Sequence, residues 1–63
     1  MTIKAKTYIK NGVTTTLEYG MGGGSYYVKL DDVVLSQCSS YRPAWAKGQE
    51  TEGALSETGW EKA

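Results

Sequence analysis

The sequence predicts a mainly β protein, with a small α+β arrangement also within reach. Its core would be an antiparallel sheet of about four strands from two β-hairpins, followed by a short helical turn and an irregular C-terminal segment. Three observations predict this. Residues 2–10, 13–19 and 25–30 alternate in polarity with a period of two, the spacing of a strand with one covered face. Asn11-Gly12 and Asp31-Asp32 fall between alternating runs, where hairpins turn. Beyond Cys38 neither a strand period nor a helical one persists for long.

In the first strand Ile3, Ala5, Thr7 and Ile9 share one face, and Lys4, Lys6, Tyr8 and Lys10 the other. Val13, Thr15, Leu17 and Tyr19 align in the second. A two-residue Asn11-Gly12 turn would set Ile9 against Thr14 and Lys6 against Leu17, apolar opposite polar. A three-residue loop, Lys10-Asn11-Gly12, instead matches Ile9 with Val13, Ala5 with Leu17 and Ile3 with Tyr19, and sets Lys4 across from Glu18. A slip of one residue exchanges the two faces completely. The sequence therefore favours the three-residue loop, with Gly12 in the left-handed position.

The second hairpin places Tyr26, Val28 and Leu30 on one face and Tyr27 and Lys29 on the other. A two-residue turn at Asp31-Asp32 pairs Leu30 with Val33 and Val28 with Leu35. Ser39-Ser40 ahead of Pro43 reads as the capped start of a helix, and Gly48 as its stop after one or two turns. Residues 49–63 are acidic and broken by Gly53 and Gly59, which suits a loop, a short last strand or helix, or a mobile tail. The expected core is Ile3, Ile9, Val13, Leu17, Val28, Leu30, Val33 and Leu35, with Trp45 covering it.

Sixty-three residues make a single small domain, divided into a two-hairpin sheet (1–38) and a helical turn with an acidic segment (39–63). One cysteine and no histidine exclude an internal disulfide and a zinc site of the usual Cys/His kind. Small domains without such staples often lean on a partner. The lone thiol, the absence of a bilayer-length apolar run and the polar start MTIKAK lead to the expectation of a cytoplasmic protein without a membrane partner.

The stretch YGMGGGSYY (19–27) invites a phosphate-binding reading but lacks its chemistry. No lysine precedes Ser25, and a strand rather than a helix follows. It reads as a slack connection between hairpins, with Met21 as a soft apolar contact at its tip. No histidine is available as a general base or to activate Cys38, and the adjacent Asp31 and Asp32 diverge in a turn. The expectation is a non-enzyme without cofactor or metal.

The candidate binding surface is the polar sheet face: Lys4, Lys6, Tyr8 and Lys10, joined by Tyr27 and Lys29 if the second hairpin is in phase, with Met21 and Trp60 as apolar anchors. Lysines interleaved with tyrosines suit a protein interface or, less well in a chain of zero net charge, single-stranded nucleic acid. The expected function is an inhibitor or adaptor that occupies the surface of a larger protein or complex, alone or as a homodimer. Phages and mobile elements encode small proteins of this sort against host defences, anti-CRISPR proteins among them. A structural subunit of a larger particle fits the same composition.

Overall fold

A computed structural model describes residues 1–63. Strands β1 (Thr2–Lys10), β2 (Val13–Gly22), β3 (Ser25–Leu30) and β4 (Val33–Cys38) run as a meander; helix α1 (Tyr41–Glu57) follows, and β5 (Glu61–Lys62) ends the chain. The sheet is antiparallel, in the order β4-β3-β2-β1-β5. The fold is thus mainly β with one helix, built on the two expected hairpins. The difference lies after Cys38, where a full helix and a fifth strand replace a short turn and an irregular segment. Geometry explains the length of α1. It must carry the chain from β4 to the β5 position beyond β1, about 19 Å at the usual strand spacing. Its 17 residues reach about 25 Å.

All three turns between sheet strands contain two residues. Asn11 and Gly12 both have positive φ (52° and 78°), as do Gly23 and Gly24 (59° and 79°). Positive φ at both central positions is the hairpin turn whose twist matches that of its strands. The three-residue loop expected at Lys10-Asn11-Gly12 is therefore corrected: Lys10 pairs with Val13, Ile9 with Thr14 and Lys6 with Leu17. Lys4 lies opposite Tyr19, and Glu18 opposite Ala5. The glycine-rich connection is likewise a tight hairpin, with Gly22 paired to Ser25. The Asp31-Asp32 turn does set Leu30 opposite Val33, but a bulge at Leu35 puts Ser36, not Leu35, across from Val28.

The one-residue difference in register exchanges the faces of β1. Tyr8 turns inward and is almost fully buried, while Ile3 and Ile9 are exposed. Leu17, Tyr19, Val28 and Ala44 form the enclosed core, with Tyr26, Leu30 and Leu35 packed at its rim. Val13, Val33 and Trp45, expected inside, are exposed as well. Tyr8 and Tyr19 supply the inward bulk that the isoleucines do not.

Gly48 does not stop the helix. It lies mid-helix and buried, with the Tyr19 ring against it where a Cβ would stand. The actual stop is at Gly59 (φ 92°). There Gly59 N–H donates to Ser56 O (3.3 Å) and Trp60 N–H to Leu55 O (3.0 Å), the paired bonds of a left-handed helix terminus. This turn aims the chain at the free side of β1, where Glu61 pairs with Ile9 and Lys62 with Tyr8. No helix is long and apolar enough to cross a membrane.

The two helical glycines make opposite predictions. Gly48→Ala drives a methyl group into the buried Tyr19 ring and should cost about 1–3 kcal/mol. Gly53→Ala meets open space and should gain up to about 1 kcal/mol through helix propensity. Urea midpoints of the two variants check both signs.

Candidate functional site

Glu52 joins the helix to the sheet face that carries Lys6 and Tyr8. Its carboxylate sits on the sheet side of α1 and accepts four hydrogen bonds. Lys6 Nζ and Tyr8 OH donate to Oε1, each at 2.8 Å; Tyr19 OH and Gln49 Nε2 donate to Oε2 at 2.8 and 3.1 Å. Lys6 is also its ion-pair partner. Three strand residues are thereby tied to one helical carboxylate, a charge-assisted network.

The network shows in the acidities. Burial alone would raise the Glu52 pKa, but hydrogen bonds from Lys6, Tyr19 and Tyr8 and the Lys6 charge outweigh it and hold the group at about 2. Tyr8 is pushed up to about 12 by burial, then by its bond to Glu52 and the carboxylate charge. Tyr19 is raised further, for the same reasons in the same order.

The sequence-predicted surface residues fall on both faces. Lys6 and Tyr8 are bound to Glu52, and Lys10 Nζ donates to Thr58 O at 2.5 Å. Lys4 lies with its ammonium 4.9 Å from the Tyr19 ring centre. These four residues lie on the helix side and serve the fold. Tyr27 and Lys29 lie on the opposite face, so the expected six-residue Lys/Tyr platform does not exist. Met21 is exposed on β2, opposite Tyr26, and its N–H and carbonyl both bond to Met1. Trp60 is half-buried just past the helix terminus.

Nothing covers the face opposite α1. It presents Ile3 (44% exposed) and Ile9 (38%) from β1, and Val34 (51%) from β4, with threonines between them. Tyr27 lies across Gly20, which has no Cβ to obstruct the ring. Lys29 Nζ sits 5.3 Å from the Tyr27 ring centre and pairs across strands with Glu18, which accepts from Thr2 Oγ1 at 2.6 Å. Tyr27, Lys29, Val34 and Gln37 line a shallow cavity of about 290 Å³. The face is thus mixed: exposed aliphatic side chains stand among threonines, with one aromatic ring, the Glu18–Lys29 cross-strand pair and Glu61 opposite Ile9 at the β5 edge.

Asp31 accepts from Thr15 Oγ1 (2.7 Å) and Thr16 N–H (3.1 Å), which locks the Asp31-Asp32 turn to β2. Cys38 is a free thiol at the end of β4. Glu52 and the open aliphatic face were both missed by sequence reasoning. The spacing Ala44, Gly48, Glu52, Leu55 is the helical signal that could have found the first.

No protein-family model, curated protein or solved structure matches this chain.

The pH dependence follows from the acidities. A carboxyl held at about 2 against an ordinary 4.5 contributes stability that is complete above 4.5 and lost as pH falls from there towards 2. Glu52→Gln should lower stability at neutral pH by about 2–3 kcal/mol and flatten that acid limb. Tyr8 favours its neutral form in the fold, so its contribution is complete below pH 10 and lost as pH rises from 10 through about 12. Urea unfolding across pH, with tyrosine absorbance on the alkaline side, measures both limbs.

Proposed function

We propose that this chain is a non-catalytic binding protein that acts by occupying the surface of a larger protein, and that the open sheet face is its contact surface. The observation that carries the reading is the uncovered sheet face, on which Ile3 and Ile9 at the two ends of β1 and Val34 on β4 stand exposed and the Tyr27 ring lies over Gly20. Aliphatic and tyrosine side chains with little net charge suit the middle of a protein interface. The ring needs no ordering on binding, because Gly20 beneath and Lys29 above already hold it.

The lysines support nucleic-acid binding poorly. Lys6 and Lys10 are bonded within the fold, and Lys29 is the cation on the open face, matched across strands by Glu18. In its concrete form the reading is an inhibitor or adaptor working in the cytoplasm, of the kind phages and mobile elements deploy against host defences, including CRISPR machinery. Size, composition and the single thiol support that form.

The test compares the protein with an Ile3→Glu, Ile9→Glu double variant as baits in host-cell lysate, treated with nuclease and washed at high salt. The reading predicts a specific protein retained by the first and reduced at least tenfold with the second, the loss of a patch worth more than about 1.4 kcal/mol. Equal retention by both would remove the open face. Material lost on nuclease treatment would turn attention to nucleic acid.

A further inference from the structure

The two edges of the sheet differ in protection. β1 is capped over Tyr8 and Ile9 by β5, and Ala63 N–H donates to Thr7 O at 2.9 Å. The rest of β1 carries Lys4 and Lys6, and edge lysines discourage pairing with another chain. β4 has none of this. Residues Val33–Cys38 include no charge and no proline, and no backbone bond from outside the sheet reaches them. Val33 is 63% exposed and Val34, on the other face, 51%. The bulge at Leu35 is the one protective device on this edge, and it interrupts the strand at a single residue.

The charges flanking β4 indicate what pairs with it. Asp32, immediately before the strand, is exposed and has no hydrogen-bond or ion-pair partner. Arg42, just beyond the strand's other end in the first turn of α1, is also exposed and unpaired. That turn contains no acidic residue. An uncharged strand with a free anion at one end and a free cation at the other is complementary to itself when reversed. We propose that β4 pairs antiparallel with β4 of a second copy about a two-fold axis, each Asp32 meeting the Arg42 of its partner. The symmetric arrangement repeats every contact twice. It joins two five-stranded sheets edge to edge and leaves both open faces free, side by side. The proposal stands apart from the reading of the open face as a contact surface.

A single strand edge is a small interface, so the dimer is concentration-dependent. Sedimentation velocity of the full chain between about 5 and about 500 µM covers the relevant range of dissociation constants. The expected result is a monomer–dimer equilibrium. Val33→Lys should weaken it at least tenfold. Asp32→Arg and Arg42→Asp should each weaken it through like-charge contacts, and the combined variant should return to within about threefold of the original, because reversed pairs attract again. Circular dichroism confirms that each variant is folded, and the charge pair remains decisive if the lysine variant is not. A monomer throughout, or a dimer indifferent to these changes, overturns the proposal. A dimer broken instead by Ile9→Glu would move the second copy to the open face.

Discussion

The structure depends on one carboxylate. Glu52 receives Lys6, Tyr8 and Tyr19 from two neighbouring strands, and Lys6 and Tyr8 face α1 only in the observed register of β1. Shifting β1 by one residue would turn Lys6 and Tyr8 to solvent and leave Glu52 facing aliphatic side chains. A carboxylate held at about 2 represents about 3 kcal/mol of differential stabilisation. A chain of 63 residues has roughly 3–9 kcal/mol of stability in total. The network is thus a sizeable share of the total, beyond what an exposed ion pair of under about 1 kcal/mol supplies.

The open face follows from the same constraint. Once Lys6 and Tyr8 point inward, Ile3 and Ile9 must point outward, because side chains alternate along a strand. The polar residues of β1 are spent on the interior network and its aliphatic residues on the surface, the reverse of the usual arrangement. The core tolerates this because two buried tyrosines replace the missing aliphatic volume, and Gly48 makes room for one of them. Stability and exposure of the open face are thus consequences of one register.

Much of the sheet was legible in the sequence. Period-two runs located β1 to β3, and the two-residue turn at Asp31-Asp32 placed β4 after them. Asn11-Gly12 also carried the right local signal for a two-residue turn, but matching apolar to apolar residues across the hairpin overruled it. That criterion failed because the inward-facing polar groups are satisfied by a residue 44 and 46 positions away in sequence. The helix was obscured by the same economy: Gly48 reads locally as a break and serves globally as a seat for Tyr19. Without α1, Glu52 has no place, and without Glu52 nothing in β1 reveals which face is inside. The phase of β1 was misread at that single step. Tyr27 and Lys29 remain on the face now proposed for binding, while Lys6, Tyr8 and Lys10 belong to the fold.

The measurement that bears most directly on this account is the register of the first hairpin in solution, read from proton–proton NMR contacts of the unmodified protein. The account predicts contacts from the Tyr8 ring to Glu52 and between Lys6 and Leu17 across the strands, with none from Ile9 to the helix. Contacts between Ile9 and Val13, together with Ile3 or Ile9 against α1, would show the aliphatic face buried and contradict both the network and the open surface that follows from it.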